Sequence, residues 1–232
     1  MENKEKSFKI FAISDLHLSI NNPKPMSIFG PVWENYVEDI VKDWKNKVQE
    51  DDIVLLAGDF SWAMKLMDAK KDIDFVAKLP GNKIIIRGNH DYWWNGIGKI
   101  RSVLPKNFYA LQNDCIKLNN VIFCGTRGWS FDDEKIINRE LIRLEMSLVN
   151  AKKLQTNGEK IICMIHFPPF EKNYGDSVFT KLFEKFEVNC VVFGHLHGTQ
   201  YRDYKMTLNK NGITYYLTSC DLLKNKLIEI DC

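Results

Sequence analysis

The chain of 232 residues has five histidines, and each lies just beyond a short apolar run. Asp15-x-His17 follows Phe8–Ser14, and Gly58-Asp59 follows Ile53–Ala57. Gly88-Asn89-His90-Asp91 follows Lys83–Arg87. His166 follows Lys160–Ile165, and Gly194-His195-Leu196-His197 follows Cys190–Phe193. If these runs are strands, all five blocks sit where α/β sheets bind ligands, beyond the carboxyl ends of strands. Carboxylate, amide oxygen and imidazole together suit divalent first-row metals such as Mn, Fe, Zn or Co. One His or Asp after a strand is usually a cap or turn residue, and a glycine beside it usually marks a tight turn. Five blocks in succession, with no histidine elsewhere, make that bland reading untenable.

In order and composition the blocks resemble the signature of the calcineurin-like metallophosphoesterases: D-x-H, G-D, G-N-H-D or G-N-H-E, an isolated H, and G-H-x-H. They span residues 15 to 197. Each block alone is weak, but the ordered set is specific. The resemblance implies an α/β fold, an αββα sandwich of two mixed β-sheets flanked by helices. It also implies a centre of two divalent transition-metal ions, with Mn or Fe favoured. Asp15, His17, Asp59 and His197 would bind one ion. Asp59, Asn89, His166 and His195 would bind the other, with Asp59 bridging. A shared carboxylate offsets the repulsion of two close cations, while neutral imidazoles leave enough positive charge to hold a phosphate and acidify a water. His90 is left without a metal. By resemblance it stands beside the phosphate as charge stabiliser or proton donor, with Asp91 holding its ring.

The departures from subfamily patterns narrow the substrate. Protein phosphatases of this superfamily carry G-D-x-x-D-R-G, whereas this chain has Gly58-Asp59-Phe60-Ser61-Trp62-Ala63-Met64, without the arginine. The third block ends in Asp91 rather than Glu. Both features place the chain nearer the phosphodiesterase-like and nuclease-like branches. Arg127, in Gly125-Thr126-Arg127-Gly128-Trp129, is a candidate for pairing with a substrate phosphate through its planar fork. Trp62, Trp93, Trp94 and Trp129 lie close to the site loops and are candidates for stacking on a base or sugar. The expectation is an enzyme, a metal-dependent phosphohydrolase cleaving a small, nucleotide-like phosphomono- or diester. A nuclease with the same centre and a non-catalytic scaffold are the alternatives. Lys+Arg 32 against Asp+Glu 30 gives no electrostatic case for nucleic acid. The intact ligand set argues against the scaffold.

The elements that must position these residues read as alternating strand and helix. Val32–Gln49 has Val37, Ile40, Val41, Trp44 and Val48 at helical steps. Met64–Lys78 is a helix stopped by Pro80-Gly81, and Gly96–Leu104 is a shorter one ending at Pro105. Asp114–Leu118 and Val121–Cys124 flank Asn119-Asn120, a hairpin signal. A long helix follows, with Ile137, Leu141, Leu144, Leu148 and Ala151 on one face. Val178–Phe186 reads as helix, and Gly212–Ser219 and Lys226–Ile230 as strands. Ser19–Pro31 is a surface loop beside the first motif. No linker is evident, so residues 1–232 read as one domain. Hydrophobic residues are 45% and charged residues 27%, an ordinary globular composition. No run is long enough for a signal peptide or a spanning helix, so no membrane partner and a cytoplasmic location are expected. None of the six cysteines forms C-x-x-C. They read as small buried hydrophobes in a reducing compartment.

Overall fold

The computed structural model describes residues 8–20 and 23–232. Four strands open the chain, β1 (Ile10–Ile13), β2 (Ile53–Leu56), β3 (Asn82–Ile85) and β4 (Phe108–Ala110). They pair in parallel, in that order. Helices α1 (Tyr36–Lys47), α2 (Leu66–Ala77) and α3 (Ile97–Arg101) make the crossovers. The second half contains β5 (Cys115–Leu118), β6 (Val121–Thr126), α4 (Glu134–Leu154), β7 (Lys160–Ile165), α5 (Val178–Lys185) and β8 (Cys190–Phe193). It continues with β9 (Thr207–Lys210) and β10 (Ile213–Leu217), and β11 (Ile228–Glu229) returns to the first sheet beside β1. The strand orders are β11-β1-β2-β3-β4 and β5-β6-β7-β8-β10-β9, with antiparallel strands only at the edges.

Side-chain alternation along the strands builds the layers. In β1, Ile10 and Ala12 face the second sheet, where they join Ile162, Met164 and Val192. Phe11 and Ile13 face the other way and pack with Ile40 and Trp44 of α1 and Ile73 of α2. On the outer face of the second sheet, Leu144, Leu148 and Ala151 of α4 and Phe179 and Phe183 of α5 cover Ile161, Cys163 and Val191. Strands buried on both faces explain the near-continuous apolar runs. The result is the expected sandwich of two mixed sheets flanked by helices.

The 114–124 hairpin turns at Asn119, whose φ of 53° is the left-handed value that asparagine tolerates. Other boundaries moved. A 3₁₀ turn at Pro31–Trp33 precedes α1, so the helix starts later than its periodicity suggests. In the loop after the first motif, Met26–Phe29 forms another 3₁₀ turn, while Asn21 and Asn22 lie outside the described residues. Strands β4 and β9 were not anticipated. Phe-Tyr-Ala is too short to show a period, and Thr-Leu-Asn-Lys has too few apolar residues to show one.

The cysteine expectation needs correction. Cys190 and Cys232 form a disulfide across 42 residues, with Cα atoms 6.1 Å apart. Both pack against the core between the sheets, where β8 begins and the chain ends. That approach depends on the path of the last segment, which residue spacing does not reveal. The 6.1 Å separation lies within the span a disulfide requires. Cys115, Cys124, Cys163 and Cys220 are free. Among the described residues, no helix is long and apolar enough to cross a membrane.

Candidate metal centre

The parallel register delivers the site loops to one edge. Ile13 is level with Leu56, and Leu56 with Ile85, so Asp15, Asp59 and Asn89 leave the first sheet side by side. Ser14 bridges to Ser219, joining the ends of the two sheets. At this rim the backbone turns sharply. Asp15, His17, Asp59 and His195 have φ values of 57°, 45°, 51° and 70°, a conformation that non-glycine residues hold only when their surroundings impose it. Gly58 allows the close approach, since a Cβ there would lie 2.6 Å from His166 Nδ1 and 2.8 Å from the Gly88 Cα.

Ligand-type atoms converge behind these turns. Asp15, His17 and Asp59 are buried and each offers an atom within 4.8 Å of the others. His166 Nε2 lies 3.4 Å from Asp59 Oδ2 and 2.7 Å from Asn89 Oδ1. The same Asn89 oxygen is 2.9 Å from His195 Nδ1. The His197 ring meets His17 edge-on, with centroids 5.6 Å apart. All seven residues assigned to metal by resemblance are thus brought to one place. His166 Nδ1 donates to the Ala57 carbonyl at 2.9 Å, which turns Nε2 towards the cluster. Asp15 is held by Ser14 Oγ at 2.6 Å, Ser219 Oγ at 2.9 Å and the His195 N–H at 3.1 Å. The two serines escaped the sequence reading because a hydroxyl in an apolar strand end carries no signal.

The electrostatics suit cation binding. Burial pushes His17 down to about 3, and burial with the neighbouring His166 pushes His195 down to about 4, so both rings are neutral and keep a lone pair. Burial would also neutralise His166, but Asp59 and Asp15 hold its pKa up at about 9, so its Nε2 would exchange a proton for a cation on binding metal. Burial favours the protonated form of Asp59, yet His166 and His17 keep its carboxyl below the usual range. Both nitrogens of His17 and Oδ2 of Asp59 are buried without a hydrogen-bond partner. Buried polar atoms are rarely left so, and an unplaced ion is one of the standard reasons. The donor set and these orphaned atoms fit divalent metal.

His90 sits beside the cluster, its ring centroid 5.6 Å from His17 and 5.0 Å from Trp62. Its N–H donates to Asp59 Oδ1 at 2.7 Å, and its Nδ1 is buried without a partner. Burial lowers its pKa. The expected support from Asp91 is not made. Asp91 instead accepts the N–H groups of Gly88 at 2.8 Å, Phe60 at 2.9 Å and Ser61 at 3.2 Å, and the Trp93 indole at 2.9 Å. It is fully buried and pinned under the loop, so it ties Asp59's loop to Asn89's loop. Burial and then Asp59 raise its pKa to about 6.

The tryptophans divide. Trp93 and Trp94 are core residues whose indoles donate to Asp91 and Gln112, so neither is free to stack on a ligand. Trp62 is half-buried, stacked on His17 at 4.6 Å, and Trp129 is half-buried against Phe167 at 5.0 Å. Trp33, not foreseen, is buried within 6.4 Å of the His197 ring. Arg127 lies on the opposite flank. Its carbonyl accepts the N–H groups of His166 at 2.9 Å and Phe167 at 3.2 Å, while its guanidinium lies over Trp129 and 3.8 Å from Glu140.

The calcineurin-like phosphoesterase profile matches residues 8–199. The chain belongs to that family. Calcineurin-like phosphoesterases use divalent metal ions, in keeping with the Asp15, His17 and Asp59 cluster. An uncharacterised protein, MJ1445 of Methanocaldococcus jannaschii, is 34% identical over 157 residues, covering 62% of this chain and 85% of the relative. A probable cyclic nucleotide phosphodiesterase of Coxiella burnetii is 22% identical over 227 residues, covering 88% and 82%. Among solved structures, a phosphopantetheinyl hydrolase of Mycobacterium tuberculosis superposes with a TM-score of 0.57 at 13% identity over 96% of this chain and 95% of that one. That likeness concerns the fold.

Proposed function

We propose that this calcineurin-like phosphoesterase is a two-metal phosphohydrolase acting on a small phosphoester, with a nucleotide-like phosphodiester as the favoured substrate. The observation that carries the reading is the buried meeting of Asp15, His17 and Asp59 with three of their ligand atoms unpartnered. Asp15, His17, Asp59 and His197 would hold one cation, and Asp59, Asn89, His166 and His195 the other. Divalent cations there supply Lewis acidity towards a phosphoryl oxygen and lower the pKa of a coordinated water. The chain's own residues do the rest. Asp59 carries negative charge between the two half-sites, and the neutral rings of His17 and His195 add donors without adding charge. His90, half-buried beside the cluster, would serve a substrate oxygen as hydrogen-bond or proton donor. Trp62 shields this side, its ring stacked on His17 with the Lys24 ammonium 4.7 Å from its centroid. The diester preference is supported by the name of the Coxiella relative.

The test is reconstitution with Mn, measurement of metal per chain, and rates on p-nitrophenyl phosphate, bis-p-nitrophenyl phosphate and a panel of cyclic nucleotides. Metal-dependent hydrolysis with the diester ahead is expected. Two metals bound with no hydrolysis of any phosphoester would overturn the reading.

A further inference from the structure

Arg127 does not stand alone. Three arginines crowd one oxygen of the fully buried Glu140: Arg143 at 2.6 Å, Arg139 at 3.5 Å and Arg127 at 3.8 Å. Arg87, just beyond β3, is a further arginine on this flank. Besides burial and Glu140, the positive charges of Arg87, Arg139 and Arg143 bear on the Arg127 guanidinium. Arg87 Nε is buried and without a partner. Glu140 gives its short contact to Arg143 and also accepts from Thr126 Oγ1 at 3.1 Å, so little of its capacity remains for the others. Three guanidinium groups on one carboxylate, with the charge of Arg87 also bearing on Arg127, leave a local excess of positive charge. Such an excess attracts an anion.

The position of this cluster is informative. The Arg127 backbone is hydrogen-bonded to His166, and Arg87 leads directly into Gly88-Asn89. A ladder of rings joins the two places: Arg127 lies 4.5 Å over Trp129, Trp129 is 5.0 Å from Phe167, and Phe167 is 4.1 Å from His195. The cluster therefore flanks the half of the centre built from Asn89, His166 and His195. Arg127 is drawn towards Glu140 and Trp129 rather than towards Asp59. Its planar donors suit an oxyanion other than the one the metals would hold.

We propose that Arg87, Arg127 and Arg139 form a second anion subsite, and that the substrate carries, besides its scissile phosphoester, another phosphate or carboxylate that docks there. The inference rests on the phosphoesterase reading above and narrows its substrate class. Arg143 neutralises Glu140, and the other three arginines are left to the ligand.

The test compares two chromogenic diesters on the Mn-loaded protein: thymidine 5′-(p-nitrophenyl phosphate) and its 3′-phosphorylated analogue. The wild type should favour the second in kcat/KM by roughly tenfold or more, the scale of a charged hydrogen bond. The ratio should fall towards one in Arg87→Gln and in Arg127→Gln, and be partly restored in Arg127→Lys. Thermal melting of each variant checks folding. In parallel, metal-stripped full-length protein is titrated calorimetrically with inorganic pyrophosphate and with succinate. Saturable binding weakened in both Gln variants is expected, and which anion binds distinguishes phosphate from carboxylate. Equal kcat/KM for the two diesters, together with no variant-sensitive anion binding, would overturn the subsite and leave the phosphoesterase reading intact. Variant-sensitive binding without hydrolysis of either diester would support the subsite and count against that reading.

Discussion

The Asp91 carboxylate accepts the Phe60 N–H at 2.9 Å and so fixes the peptide that follows Asp59. Two loops from neighbouring strands are thereby locked at the point where the metal cluster begins. With the Gly88, Ser61 and Trp93 donors, four N–H groups depend on this one side chain.

Asp91→Ala should therefore act on structure first. Buried donors left unpaired cost about 1–3 kcal/mol each, so a loss on the order of 3 kcal/mol is expected in urea unfolding, with a fall in bound metal. Unchanged stability and metal content with a reduced rate would return Asp91 to the role of His90's partner.

Asp59→Asn should weaken both half-sites, because one carboxylate serves His17, His166 and the His90 N–H. Metal per chain after reconstitution is the measurement. Two full equivalents with near wild-type turnover would end the bridging assignment.

His90→Ala should keep its metals and lose rate by roughly 10²–10⁴, the range for a removed proton-transfer partner. A smaller loss on esters with a good leaving group would mark His90 as a general acid. A loss of metal would make it a ligand.

Lys83 offers a pH test remote from the centre. It is buried, donates to the carbonyls of Leu79 and Gly81, and burial pushes its pKa down to about 8. Between about 8 and 10.5 the unfolded chain binds more protons at this residue than the folded one, so its contribution to stability rises with pH across that window. Stability profiles in urea should therefore diverge. The wild type should gain on Lys83→Met by a few kcal/mol between pH 8 and 10, and parallel profiles would refute the assignment.

The residues that meet at the rim were legible because metal chemistry demands particular side chains at strand ends, and strand ends are visible as the close of an apolar run. The two-sheet architecture followed from the same runs. What escaped depends on contacts between distant segments. Adjacency makes Asp91 read as His90's partner, yet the N–H groups that donate to it from Phe60 and Ser61 lie about thirty positions earlier. The burial of Trp93 and Trp94, the Cys190–Cys232 bond and the arginines gathered on Glu140 are likewise products of packing. Arg139 and Arg143 alone read as an ordinary polar stripe on a helix.

The hold on Asp15 has a consequence for synthesis. The partners of its carboxylate, His195 N–H and Ser219 Oγ, emerge 180 and 204 residues after it. A nascent chain carrying the first sheet alone would display Asp15, His17 and Asp59 on loops still lacking half their supports, in left-handed turns with nothing to impose them. Tight cation binding at Asp15 would therefore wait until His195 and Ser219 have been made, and a translation product stopped short of Ser219 is expected to bind metal weakly.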